Sequence, residues 1–365
     1  MHRRTLLTTA AGVAAAALVP VTSAAAHPTT GPVRPPLTPL GPSGWPSDAR
    51  ATAISTGGSG TWLGGNLQTV DGYGHVELRR LGANRWVPAP TVPAFDVELT
   101  ALAADATGVW VVGDRNEATL PNPDGATAIV HLTRSGARRQ LDTAALPQWL
   151  QVRDVRAVGD GVRIVGGAPS EDGSRLLAYS ARWAKGRWIT EAIHGEDSGF
   201  TEADLRMADS SSTIAVSADA WCSFSGGRWT RHDAPLPGTG LAEAAVAKDG
   251  SLWAVSDDDT APWVLHRTGS QWDMIGLPGG FAPMGVIRAR AGGVWVRAAR
   301  IADDSWDAAV FRVNGTKVVE RRDSPWRDSL YEGLVDLEDG LLSYGAHGVP
   351  GDEEAGWVGG SAWVR

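Results

Sequence analysis

Apolar and polar residues alternate along most of this chain with a period of two, and no stretch carries the 3.6-residue pattern of an amphipathic helix. One segment shows the unit. Leu99–Ala103, Gly108–Gly113, Ala126–Thr133 and Arg138–Leu141 read as four short strands, with a tight turn at Ser135-Gly136 before the last. The same reading fits Leu241–Val246, Ser251–Ser256, Pro262–Arg267 and Gln271–Ile275. From about residue 50 onwards the pattern predicts antiparallel meanders of four strands.

A recurrent phrase marks the second strand of each meander. It is Gly-Thr-Trp at 60–62, Gly-Val-Trp at 108–110, Ser-Leu-Trp at 251–253 and Gly-Val-Trp at 293–295. A basic residue before Trp often follows, as in Arg85-Trp86, Arg187-Trp188 and Arg228-Trp229. Aligned on the first Trp, the equivalent residues are Trp62, Trp110, Arg163, Ile214, Trp253, Trp295 and Leu342, so the units recur every 39 to 53 residues. That period belongs to radial four-stranded blades. The fold expected is all-β, a seven-bladed β-propeller of four-stranded antiparallel blades over 50–365. Six blades with an irregular end, or eight using the N-terminal lead, are the alternative counts. Closure is left open between side-chain packing alone and a strand drawn from residues 43–50.

Blade geometry accounts for the composition. Near the axis the inner strands crowd together, which favours Ala51-Thr-Ala-Ile and Ala244-Ala-Val-Ala. Farther out the sheets diverge, and wide flat side chains fill the gap. The chain has 17 Trp against 5 Phe and 4 Tyr. Indole supplies area at low entropic cost, with an N–H that can find an acceptor. Arg80, Arg182, Arg267 and Arg312 are expected to pair across blades or to lie flat on a neighbouring Trp.

This repeat type resembles bacterial secreted Trp-rich β-propellers over about residues 50–365. The resemblance carries no catalytic residues. The Gly-His and Trp-Asp marks of WD40 repeats, the paired glycines of kelch repeats and the full Ser-x-Asp-x-Gly-x-x-Trp box of sialidase-like propellers are not matched. Asp249-Gly250-Ser251-Leu252-Trp253 is a fragment of that last pattern.

The N-terminus adds a compartment. Arg3-Arg4, an Ala-rich apolar run and Thr22-Ser-Ala-Ala-Ala26 make residues 1–26 an export signal, twin-arginine-like, with a general secretory signal as the alternative. Residues 27–49 are a Pro-rich lead expected to lie extended on the domain. Cys222 is the single cysteine, so no intramolecular disulfide can form, and it reads as a small buried hydrophobe. The formal charge is −8 and only Lys185, Lys248 and Lys317 are lysines, which argues against a nucleic-acid footprint. The expected product is secreted or extracellular, in some settings wall-associated, monomeric, and without integral membrane contact once the signal is cleaved.

Candidate chemistry lies in the loops between second and third strands, which vary while the strands agree. Tyr73, Asp114, Arg115, Glu117, Asp172, Asp258, Asp304, Trp306, Glu353 and Trp357 are the candidate ligand-face residues. Converging loop carboxylates could hold Ca²⁺ through hard oxygen ligands. No catalytic motif stands out: neither His-Glu-x-x-His nor Gly-x-Ser-x-Gly occurs. Two functional classes follow. The first is a binding protein recognising an extracellular glycan or protein through its end-face loops. The second is a carbohydrate-active hydrolase or lyase using acidic residues in the axial funnel, for which an inverting enzyme needs carboxyls ~6.5–9.5 Å apart.

Overall fold

A computed structural model describes residues 31–36, 45, 49–68, 74–82, 85–89, 97–115, 127–170, 176–194, 205–217, 220–235, 240–256, 262–302, 305–325, 329–338, 340–347 and 358–360. The export signal at 1–26 lies outside them. Among the described residues no helix is long and apolar enough to cross a membrane.

The first blade is β1 (Ala49–Gly57), β2 (Gly60–Gln68), β3 (Gly74–Leu81) and β4 (Trp86–Pro88); the second is β5 (Val97–Ala104), β6 (Gly108–Arg115), β7 (Thr127–Thr133) and β8 (Arg138–Gln140). The third runs β9 (Gln151–Val158), β10 (Gly161–Pro169), β11 (Leu176–Ala184) and β12 (Arg187–Thr190). The fourth has five strands, β13 (Ala192–His194), β14 (Arg206–Met207), β15 (Ile214–Ser217), β16 (Ala220–Ser225) and β17 (Arg228–Asp233), and β13 pairs parallel with β17 on its outer edge. Then come β18 (Leu241–Val246), β19 (Leu252–Ser256), β20 (Val264–Thr268) and β21 (Gln271–Ile275) in the fifth blade. The sixth is β22 (Ala282–Arg288), β23 (Val294–Ala302), β24 (Ser305–Asn314) and β25 (Lys317–Asp323). The last sheet holds three strands, β26 (Ser329–Asp336), β27 (Leu341–His347) and β28 (Val358–Gly360).

The expected seven-bladed propeller of four-stranded antiparallel blades is therefore corrected. Six blades are complete, one of them five-stranded with a parallel edge, and the remaining sheet has three strands among the described residues. The fifth strand arises because the connector after β12 runs alongside the outer edge of the next blade before entering it, capping an edge that would otherwise be unpaired.

The core is a set of apolar slabs between sheets. Trp62 and Leu78 of the first blade pack on Leu99 and Val111 of the second, and Trp110 and Ile129 pack in turn on Val155 and Ile164 of the third. Between the last sheet and the first blade, Val335, Leu342 and Tyr344 meet Leu63 and Trp86, with Trp45 of the lead packed against them. The ring thus closes by side chains; no strand pairing joins these two sheets among the described residues. Farther along the lead, Val33 forms a parallel bridge to Arg321 on β25, and Arg34 N–H donates to Arg321 O at 2.9 Å. Residues 31–36 of the lead run alongside β25 there.

The repeated Trp does one job in the four units that carry it. Trp62, Trp110, Trp253 and Trp295 are buried, and each indole N–H is satisfied: Ser59 Oγ at 3.1 Å, Asp105 Oδ2 at 3.0 Å, Ser251 Oγ at 3.0 Å and Asp336 Oδ2 at 3.2 Å. All four acceptors are side chains. Directly across on the third strand stands a base: Arg80, His131, His266 and Arg312. His266 stacks on Trp253 with centroids 4.0 Å apart, and His232 stacks on Trp221 at 3.9 Å. Arg267 lies over Trp221 of the preceding blade at 4.5 Å, as anticipated, whereas Arg312 pairs with Glu320.

Asp105 shows how the turn is built. Its Oδ1 accepts from the N–H groups of Thr107 (2.7 Å) and Gly108 (2.8 Å), while Oδ2 faces Trp110 and His131. Burial alone would raise this carboxyl's pKa, but the hydrogen bonds outweigh it and hold the group below the ordinary value. Stability from Asp105 is therefore present above the unfolded pKa and is lost as pH falls through the folded one. Asp105→Asn turns an N–H donor toward part of this donor set, and about 2 kcal/mol of destabilisation is expected in a urea titration. An unchanged midpoint would show that the turn is held by backbone alone.

Candidate functional site

The innermost strands β1, β5, β9, β14, β18, β22 and β26 surround an axial cavity of about 890 Å³. Six of them carry a one-residue β-bulge at the corresponding place, leaving Thr52, Thr100, Arg153, Ala242, Met284 and Glu332 out of the ladder. A bulge re-aims the extra side chain. Thr52, Thr100, Arg153 and Glu332 line the cavity, and Met284 is an exposed large hydrophobic residue.

Charge in the cavity divides by role. The acids Asp154, Asp209, Glu243 and Asp336 accept backbone N–H groups from other blades: Met207 (3.1 Å), Arg288 (2.9 Å), Val286 (3.2 Å) and Arg290 (2.7 Å) respectively. Glu243 is further paired with Arg297, which donates to Tyr331 O at 2.8 Å. These carboxylates stitch the ring. The bases are more exposed, though not uniformly so. Arg153 and Arg206 are exposed, as is Lys248 at the other end, and Arg206, Arg288 and Lys248 have no ion pair among the described residues. The lining holds Arg153, Arg156, Arg206, Arg288, Arg290, Arg297 and Lys248 against Asp154, Asp209, Glu243, Glu332 and Asp336, a positive surplus inside an acidic protein.

Asp154 is the most constrained of the acids. Burial pushes its pKa up, against the pull of the Arg156 guanidinium and the Val155 and Met207 N–H groups. Arg156 donates to Asp154 Oδ1 at 2.8 Å, to Val155 O at 3.1 Å and to Met207 O at 3.3 Å, so its fork is fixed.

Of the ten candidate residues, three fall among the described ones. Asp114 and Arg115 sit at the end of β6, and Trp306 pairs with Ile301 in the β23–β24 hairpin; these are strand positions where loops were expected. Trp306 is partly buried. The hairpin continues as a ladder up to Ala302 and Ser305. Asp114 has a buried Oδ1 without a hydrogen-bond partner and lies within electrostatic reach of Arg153 and Glu98. Tyr73, Glu117, Asp172, Asp258, Asp304, Glu353 and Trp357 lie outside the described residues. Among the described residues no cluster of three or more His, Cys, Asp or Glu is placed to hold a metal, so Ca²⁺ gains no support there.

The inner-strand bases were missed at the sequence level. The signal was present in Arg153-Asp-Val-Arg156 and Arg288-Ala-Arg290, where charge interrupts inner strands that are otherwise Ala- and Gly-rich. What concealed it was the assumption that the crowded axis takes small residues only.

No protein-family model matches the chain, and no curated protein matches it. Solved structures match it in shape. YCF48 from Cyanidioschyzon merolae aligns at 13% identity over 83% of this chain and 95% of its own, with a TM-score of 0.56. A puromycin hydrolase aligns at 14% over 86% of this chain and 54% of its own, at 0.54, and a streptogramin B lyase at 11% over 82% and 91%, at 0.51. Identities this low carry the fold alone: a β-propeller. The resemblance to secreted Trp-rich propellers is corrected accordingly, since the likeness is to propellers of the YCF48, lyase and hydrolase kinds. The Trp phrase reflects the wedge between diverging sheets, a demand that unrelated propellers share.

Proposed function

We propose that the chain is an exported binding propeller that recognises an extracellular glycan or protein with the end face where the 2–3 loops and the bulged inner strands meet. One observation carries this reading. Four of the five described acids of the cavity accept N–H groups from other blades, while Arg153, Arg206 and Lys248 are exposed. A hydrolytic pair needs carboxyls able to exchange protons with substrate, and acids that accept inter-blade N–H groups serve that role poorly. The scheme divides the chain into an export signal at 1–26, a lead at 27–49 and a propeller at 50–365, acting as a monomer outside the membrane.

The test is a glycan array and an extracellular-protein pull-down with the mature chain, alongside assays for new reducing ends or unsaturated products. Saturable binding of one ligand class without turnover is expected. Product release from a bound glycan would overturn the reading in favour of a hydrolase or lyase. N-terminal sequencing of the secreted protein checks the signal, with the first residue expected near position 27.

A further inference from the structure

Every seam of the ring but one is crossed by the chain itself, because each blade runs directly into the next. The exception lies between the last sheet and the first blade, where side chains alone make the join among the described residues. Separating these two sheets breaks no chain connection, which makes the seam a natural place for sub-global opening. The lead is held at two places, on the sixth blade and at this seam. On the sixth blade it is a parallel edge strand: Arg321 N–H donates to Pro32 O at 3.4 Å, and Arg34 N–H donates to Arg321 O at 2.9 Å. A Cβ on Gly31 would meet the Val319 carbonyl carbon at 2.5 Å, so glycine is what allows the lead so close to β25. Farther on, Trp45 packs against the slab of Leu63, Trp86, Val335, Leu342 and Tyr344 that forms the seam. Val335 and Tyr344 of that slab also line the axial cavity.

We propose that the lead is a clasp: docked on β25 and seated through Trp45, it holds the ring shut at its last seam, and its release frees the cavity wall at Val335 and Tyr344 to move. The inference concerns how the cavity is kept closed and does not depend on which ligand the propeller binds. Two features distinguish a clasp from a segment resting on the surface. The backbone bonds to Arg321 fix the lead on the sixth blade, and this tether raises the effective concentration of Trp45 at its seat. Trp also offers a large apolar area, placed here where the two ends of the propeller chain meet. Blade four has its outer edge covered in the same parallel sense by β13, but β13 is a connector between neighbouring blades. The lead instead joins the sixth blade to the seam beyond the last sheet.

The experiment is hydrogen–deuterium exchange on the mature full-length chain and on Gly31→Ala, Trp45→Ala and Val33→Ser, read strand by strand. Gly31→Ala displaces the lead from β25 without touching the seam, and Trp45→Ala empties the seat itself. In both, the amides of β1, β26 and β27 should exchange about tenfold faster, while β9, β10 and β11 of the third blade keep their wild-type rates. Val33→Ser is the control. That side chain is 66% exposed and the bonds beside it are made by backbone, so the seam should stay as protected as in the wild type. Unchanged exchange at the seam in Gly31→Ala would overturn the proposal, since Trp45 would then be an ordinary core residue. A rise of equal size in the third blade would overturn it too, as a global loss of stability. Gly31→Ala decides alone if Trp45→Ala does not fold.

Discussion

Glu191→Gln should destabilise the protein by about 3–5 kcal/mol. Glu191 and Arg163 are both buried, joined by two hydrogen bonds of 2.8 Å, and Ser180 Oγ donates to the same carboxylate at 2.8 Å. Arg163 stands where other units carry Trp. Its guanidinium lies 4.0 Å over Phe224 and donates to Ser212 O in the following blade, so it fills an inter-blade gap as a tryptophan would. Replacing the carboxylate leaves a buried cation facing an amide N–H₂, which is why loss of one partner is so costly. Removing both charges is a different experiment. Arg163→Met with Glu191→Leu should recover most of the stability, because the pair's own desolvation cost disappears with it. Chemical denaturation of both variants decides the matter. A single variant that unfolds with the wild type would show that the pair carries no net weight.

Asp114→Asn should act in the opposite direction, and only at higher pH. Burial lifts the Asp114 pKa to about 7, with the Glu98 carboxylate adding to the rise and Arg153 opposing it. The folded pKa is above the unfolded one, so the native state holds a proton that the unfolded chain releases between them. Stability from this group is full below the ordinary carboxylate value of 3.8 and is lost as pH rises through about 7. Above that, the asparagine variant should exceed the wild type by at most about 4 kcal/mol, and by about 2 once solvent at the strand end screens the charge. Below pH ~4 the two should coincide, since both side chains are then neutral. Parallel stability curves up to pH ~9 would show that Asp114 ionises at its ordinary value.

Both predictions concern residues whose types were visible and whose environments were not. Arg163 broke the Trp register, so the sequence marked it as exceptional; its partner Glu191, 28 residues away, could be found only in the fold. Asp114 was singled out as a loop acid, yet it ends a strand with one oxygen buried. The strands β18 to β21 fall almost where the alternation places them, because each lies within a local hairpin whose turns are written in Gly, Asp and Ser. The parallel strand β13 escaped notice because its partner β17 comes after three intervening strands.

By itself, the sequence determined the strand period, the recurrence of the unit and the placing of tryptophan between sheets, all of them short-range demands of a pleated, diverging meander. Only the tertiary structure decided how many blades are complete, how the last sheet meets the first, and which charges turn to the axis. Those depend on contacts between residues far apart in the chain, and on one-residue bulges that leave composition unchanged while redirecting a side chain. The tryptophans hold the blades apart at the right distance.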